Sequence, residues 1–471
     1  MIQARRLGHV VLRNHVWLSA WAVLALALLL SGHPGWAEDK RNDRAVRLLQ
    51  TVPIPPITAN NTHTPKALFS FDISWVDQAS RTYYLADRSN KAVDIVDTTS
   101  NLLITQLTAN PPFRGFTACP PPPAGPNNPG ANDCAGPNGV ATSTNCLFVT
   151  DAPSRVVSFN KATLAQVSDV QTDPTDPTRA DELAVDPKDS LILAINNASD
   201  PPFGTLITFD PKTCTLTPPD PKSDRVIFDL ANGVNATNGA EQPIWDPGTQ
   251  KFYVSIPQIG PAVEEGGVVR IDPKTKTVDQ TFGIKFCSPA GLTLGPNEDV
   301  LVGCNTVFNT AGKLWTAIDP LTAAPIQVIL NVVTGKQVQV AGVGAGDEVW
   351  FNKGDGNYYT ASSGSPLRPL VGQGETGPLT AQGAAILGVI DAKDKQVLQL
   401  VPTFNVPQVP PPPAKPTVHP AGTAHSVAVD ATNNHIFVPL AANNVFPDCT
   451  TGCIAVYWHG DEDKSGEAAT P

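Results

Sequence analysis

The sequence predicts an all-β protein, a seven-bladed β-propeller whose ring is closed by an N-terminal strand. Three observations predict it: short β-rich runs bounded by turn residues, one strand–Asp–turn unit that recurs seven times, and a spare strand-like segment ahead of the first unit.

The runs are 5–7 residues long, rich in Val, Ile, Phe and Tyr, and set between Gly, Pro, Asn and Asp. No 12-residue stretch beyond the N-terminal apolar segment holds a 3.6-residue apolar period, so helices should be scarce. The recurring unit is a β-rich run ending near Asp, a tight turn, an apolar run, a loop, and a strand ending in Asp. It reads LAVDPKDSLILAINNASDPPFGTLITFDPKT at 183–213 and IWDPGTQKFYVSIPQIGPAVEEGGVVRIDPKT at 244–275. Copies of the closing element fall at Asp97, Asn160, Asp210, Asp272, Asp319, Asp391 and Tyr457-Trp458. Their spacings of 47–72 residues exceed the ~40–50 usual for propeller repeats, so loops have been inserted.

The chain ends soon after the third strand of the seventh unit, leaving its blade one strand short. Ala45 to Pro53 (AVRLLQTVP) is the spare segment that would complete it. Such closure joins the chain ends and removes exposed sheet edges.

Runs such as GPNGVATSTNCLFVTDAPSRVVSFN at 136–160 and HSVAVDATNNHIFVP at 425–439 resemble YVTN and NHL-type propellers. More distantly they are similar to calcium-dependent gluconolactonase-like propellers. The resemblance covers most of 60–460 as architecture. It implies the propeller fold and, through the more distant family, an axial calcium held by Glu, Asn and Asp that polarises a lactone carbonyl. Pro137-Asn138-Gly139 resembles an Asn-bearing motif of that family.

The N-terminus reads as a secretory signal: Arg5, Arg6 and Arg13, then an apolar stretch from Val16 to Leu30, then Gly35-Trp36-Ala37 before Glu38. Spanning a bilayer needs ~20 apolar residues, so cleavage is preferred to a membrane anchor. Residues 1–37 are therefore assigned to a cleaved signal peptide, 38–460 to a single propeller domain and 461–471 to a disordered polar tail, in a periplasmic or secreted protein. Without the signal the chain carries 29 basic and 43 acidic residues, a net charge of −14. That balance argues against a nucleic-acid partner. Eight cysteines in an exported chain point to disulfides, since none of them has CxxC zinc spacing. Cys449 with Cys453 and Cys287 with Cys304 are the expected pairs, and the other four allow three pairings. The absence of CxxCH excludes covalent haem, and no phosphate-binding loop in a strand-to-helix setting suggests a nucleotide.

In an antiparallel blade the first–second and third–fourth strand turns share one face. Those turns are terse here (QASR, PKDS, PGTQ, ATNN; TTSN, NKAT, DPKT, DAKD). The long segments, including Pro-rich 109–137 and 402–424, fall in the other class, together with 257–266, 305–312, 353–384 and 441–452. Long loops on a rigid scaffold usually carry binding.

Five residues before the aligned Asp77, Asp186, Asp246 and Asp430, the innermost strands begin with Asp72, Asp181, Glu241 and His425. Asn138 and Ala290 join the column by alignment, and the degenerate sixth unit offers Gln339. Converging carboxylates repel, so either a cation neutralises them or some stay protonated. Asp72, Asn138, Asp181, Glu241 and His425 are accordingly the candidate metal ligands, for a divalent cation with calcium favoured; His425 alternatively suits a base. Asp87, Asp151, Asn197, Gln258, Asn305, Asn352 and Asn443 read as turn residues. Two functions follow: a binding or scaffold protein that takes an unknown protein or small-molecule ligand on its loop-rich face, or a metal-dependent lactone hydrolase at the axial opening.

Overall fold

The computed structural model describes residues 45–117, 119, 132–315, 325–344, 346–365, 384–403, 425–443 and 446–459. All of the strands lie in the compact unit Val46–Gly460. The expected signal at 1–37 and tail at 461–471 lie outside the described residues.

Among the described residues, apart from two short 3-10 turns, the regular structure is β. It comprises β1 (Arg47–Pro53), β2 (Ser74–Asp77), β3 (Thr82–Asp87), β4 (Ala92–Asp97), β5 (Leu102–Leu107), β6 (Val140–Thr142) and β7 (Cys146–Asp151). Next come β8 (Arg155–Asn160), β9 (Gln166–Gln171), β10 (Leu183–Asp186), β11 (Leu191–Asn196), β12 (Phe203–Thr208), β13 (Arg225–Ile227) and β14 (Pro243–Asp246). Then β15 (Lys251–Ile256), β16 (Glu265–Asp272), β17 (Thr277–Lys285), β18 (Cys287–Leu294), β19 (Asp299–Val307), β20 (Ile326–Asn331) and β21 (Gln337–Ala341). The last are β22 (Gly346–Asn352), β23 (Asn357–Ser365), β24 (Ala384–Asp391), β25 (Gln396–Pro402), β26 (Ala428–Asp430), β27 (His435–Leu440) and β28 (Cys453–Trp458).

Among the described residues these strands make seven four-stranded antiparallel sheets. Six of them are consecutive quartets running from β2–β5 to β22–β25; the other has the order β1-β28-β27-β26. The arrangement is that of a β-propeller. In the β1–β28 pair Thr51 lies opposite Ala455 and Val52 opposite Ile454, with a bulge between Leu48 and Gln50. A bulge on an edge strand of this kind blunts pairing with another chain.

Burial grades outward. The second strands β7 and β11 are almost wholly buried, whereas the outermost β5, β9 and β25 alternate between exposed and partly covered residues. Middle strands pack both faces against neighbouring sheets and outer ones only one, which is why the inner runs are continuously apolar.

The Asp of the repeat is a turn former. The Asp77, Asp186, Asp246 and Asp430 side chains accept the backbone N–H two residues on, at 3.0, 2.9, 2.8 and 2.8 Å. Asp97, Asp210, Asp272 and Asp391 do the same in the third–fourth turns. This turn geometry needs a left-handed residue near its end, met by Arg81, Ser190, Gln250 and Asn434 at φ 52–55°. The fifth unit departs from the reading: Asp319 lies outside the described residues, and the third strand ends at Asn331, whose side chain accepts Thr334 N–H at 2.9 Å. In the sixth unit 353–356 is a first–second turn, so the long insertion there is confined to 366–383. One long connection, 209–224, falls on the otherwise terse end.

All eight cysteines are paired: Cys119–Cys134, Cys146–Cys214, Cys287–Cys304 and Cys449–Cys453. Both expected pairs form. Cys146–Cys214 ties a second strand of one sheet to the 209–224 connection of the next, a contact that no local spacing announces. Several disulfides suggest an oxidising, extracellular compartment, and among the described residues no helix is long and apolar enough to cross a membrane.

Candidate functional site

Each innermost strand is entered from a loop at the insertion-rich end, so the column residues stand at the loop–strand junction. The structure brings Asp72 and His425 into direct contact: Asp72 Oδ1 lies 2.9 Å from His425 Nε2. The other His425 nitrogen, Nδ1, is 2.7 Å from Asp347 Oδ2. Asp347 is the column member of the sixth sheet, five residues before Asn352. Gln339, which the sequence offered there, sits instead on the outer strand β21 opposite Val328. The bulged β22 hid the alignment, because its register shifts between Gly346 and Val349.

Two arginines missed in the sequence hold the ring together. Arg88, in the β3–β4 loop, pairs with Asp72 through Nη2 and donates from Nε to Asn138 Oδ1 at 3.0 Å. Asn138 donates its amide to the carbonyls of Ala135 and Ala180 at 3.1 and 2.9 Å. Arg179 pairs with Asp181 Oδ2 at 2.9 Å and donates to Asn197 Oδ1 at 3.3 Å. A buried ring of acids requires counter-charges, and basic residues are scarce in the loops at this end. That scarcity was the available signal.

Below the ring lies Glu348. Its Oε2 accepts from Val427 N–H at 2.9 Å, from Ser74 N–H at 3.3 Å and from the Ser426 hydroxyl. Its Oε1 is buried without a partner, as are Asp181 Oδ1 and Glu182 Oε2. Glu241 borders a cleft of about 1230 Å³ that also runs over Asp133, Asp176, Asn197, Asp200 and Asp229.

The electrostatics follow from these pairings. Burial opposes ionisation of Asp72, yet Arg88 and His425 hold it at about 2. Burial likewise opposes charge on His425, but Asp347 and Asp72 push it well above the imidazole range. Doubly hydrogen-bonded and charged, His425 is a fixed cation with no free nitrogen to act as a base. Glu182 and Glu241, desolvated and surrounded mainly by other carboxyls, are raised well above the ordinary range. Burial lifts Glu348 to about 8.

As arranged, three of the five expected ligands are already engaged by other side chains, while Asp181 keeps Oδ1 without a partner. Both oxygens of Asp72, the oxygen of Asn138 and both nitrogens of His425 are already engaged, largely with guanidinium or imidazolium. Among the described residues no group of three or more His, Cys, Asp or Glu side chains is placed to hold a metal ion.

No protein-family profile matches the sequence, and no curated protein matches it. Among solved structures the chain is similar to the Kuenenia stuttgartiensis hydrazine synthase, with a TM-score of 0.50 and 10% identity over 81% of this chain and 94% of that one. The shared feature is the fold. At that identity the likeness reaches no further than the β-propeller arrangement.

Proposed function

We propose that this chain is an exported β-propeller binding protein that engages its ligand at the loop-rich end, around the charged mouth. The observation that carries this is the engagement of Asp72, Asn138 and Asp181 by Arg88, Arg179 and His425, which sets a charged rim beside an open cleft and occupies most of the ligating atoms that metal-assisted hydrolysis would use. Apart from 209–224, the long connections gather at the same end.

We further read the seven sheets as seven blades in one ring. The innermost strands support it, since β2 contacts β6, β6 contacts β10, and so on through β14, β18, β22 and β26 back to β2. The antiparallel pairing of β1 with β28 supports closure by the N-terminal strand. Deleting residues 1–53 removes the buried Val46 and Val52 side chains and bares the edge of β28. The expected loss is about 3–6 kcal/mol in urea unfolding; an unchanged midpoint would mark the strand as an appendage.

The hydrolase alternative is separated from binding by metal content and turnover. The expected outcome is that no divalent metal co-purifies, EDTA leaves Tm unchanged, and γ- and δ-lactones are not hydrolysed with added calcium. For the positive arm, solutes that raise Tm are mapped by hydrogen–deuterium exchange. Protection should fall at 132–138, 172–182, 196–203 and 228–242; protection at the terse turns, or calcium-dependent lactone turnover, would overturn the reading.

A further inference from the structure

The cleft of about 1230 Å³ that reaches Glu241 is built over the third sheet, β10–β13. Three connections wall it, 173–178, 197–202 and 229–241, with Asp133 from a fourth. Small-molecule sites usually enclose about 300–1,000 Å³, so this volume suits a segment of several residues.

The lining is one-sided in charge. Asp133, Asp173, Asp176, Asp200, Asp229 and Glu241 present six carboxyl groups against one basic side chain, Arg225. Arg225 is already committed. Its Nη2 pairs with Asp173 at 2.9 Å and donates to the Thr172 carbonyl at 2.6 Å, and the guanidinium lies 4.3 Å over the Phe203 ring. Asp229 spends Oδ1 on the backbone and amide N–H groups of Asn232, at 2.9 and 2.7 Å, and keeps Oδ2 for a ligand.

Acidity alone would suit any cation, and two further features narrow the choice. Asn197, only 7% exposed, lines the cleft. Its Oδ1 accepts from Arg179 at 3.3 Å, while among the described residues its Nδ2 has no acceptor. A buried amide donor left unmet is costly, and a ligand oxygen relieves that cost. The second feature is β13, the outermost strand of its sheet, which lends Arg225 and Ile227 to the wall. Antiparallel pairing alternates: with Asp224, Val226 and Phe228 turned to β12, the N–H and C=O groups of Arg225 and Ile227 point away from it.

A polyamine carries N–H donors only, so it meets neither Asn197 nor the outward N–H groups of β13. A peptide carries carbonyls as well, and pairs with a free strand edge when extended. We infer that this cleft takes an extended basic peptide of a protein partner, with a peptide carbonyl accepting from Asn197, the backbone running beside β13 and the Lys or Arg side chains directed to the aspartates. The inference rests on the binding-protein reading above and names the chemistry of the partner. Leu230, 74% exposed at the rim, gives the aliphatic stems of those side chains an apolar surface.

The probes are the N-acetylated, C-amidated peptide Gly-Lys-Ser-Lys-Ala-Lys-Ser-Lys-Gly, its counterparts with Gln or Glu at every Lys, and spermine, which matches the charge of the first without a peptide backbone. Each is titrated calorimetrically into the full mature chain at pH 7.5 and low salt. The basic peptide is expected to bind saturably with Kd below about 100 μM, the Gln peptide and spermine at least about tenfold more weakly, and the Glu peptide not at all. Asn197→Asp keeps an acceptor for Arg179 but removes the donor; it should raise Kd about fivefold or more although it adds a carboxyl group. Asp229→Asn keeps the oxygen that caps Asn232 and should raise Kd about threefold, which keeps the test decisive if Asn197→Asp fails to fold.

No saturable heat from the basic peptide, spermine binding as tightly as that peptide, tighter binding to Asn197→Asp, or binding indifferent to both variants would overturn the inference. Should another solute protect 172–182, 196–203 and 228–242 from exchange while the basic peptide fails, the inference falls and the binding-protein reading stands. Should nothing protect them, both fall.

Discussion

Replacing Arg88 with Leu is expected to cost about 3–5 kcal/mol in urea unfolding, the largest effect of any single substitution at the mouth. Arg88 is 3% exposed and bridges two sheets, reaching Asp72 on one side and Asn138 on the other. Its loss strands a buried carboxylate beside Asp181 and leaves the Asn138 oxygen without its donor. Lysine should rescue little, because a single ammonium cannot reproduce the guanidinium's two-directional fork. The double variant Arg88→Leu with Asp72→Asn tests the cause: removing the stranded charge should recover a substantial part of the loss. A double variant no more stable than Arg88→Leu alone would show that the cost lies in packing.

Stability is expected to peak at mildly acidic pH and to fall toward neutrality. Glu348 is raised from 4.5 to about 8 in the fold, so its protonated form is the one the fold favours. Its contribution is complete below about 4.5 and is lost as pH rises toward 8, up to about 5 kcal/mol from this group. Buried Asp94, beside Asp87 and with Oδ2 unpartnered, is raised in the same sense, and Asp87 is lifted by burial to about 7. The raised His425 adds stability that is present below its unfolded value of 6.5 and fades above it. Asp72 works oppositely: held at about 2, it contributes above 3.8 and loses that contribution as pH falls toward 2. The sum places the maximum near pH 4–5. Chemical unfolding at pH 4.5, 6 and 7.5 checks the slope, and Glu348→Gln should flatten it. A parallel curve for that variant would mean Glu348 is ionised throughout.

Much of the fold was legible because its signals are local. Alternation, turn residues and the recurrent Asp each act within four residues, as the Asp77 and Asp246 turns demonstrate. Cys449–Cys453 was legible for the same reason, closing over a separation of 4 residues. Cys146–Cys214, spanning 68, depends on how neighbouring sheets stack. The sixth sheet was misread where its bulge broke the count, which hid Asp347 and put Gln339 in its place.

The candidate site divides along the same line. Counting back from the turn Asp picked out Asp72, Asp181, Glu241 and His425, and aligning the Gly-Val-Ala run added Asn138, since strand length fixes where each innermost strand starts. It could not find Arg88 or Arg179, which come from loops outside the repeat register, nor tell whether the acids face a metal or a guanidinium.

From the chain alone followed an all-β propeller, its turn chemistry, two of four disulfides and an acidic entrance to the innermost strands, because each rests on interactions between near neighbours in sequence. Only the tertiary structure decided what neutralises that entrance. Electrostatic partners are chosen by proximity in space, and Arg88, Asp72, His425 and Asp347 meet from positions as much as 353 residues apart.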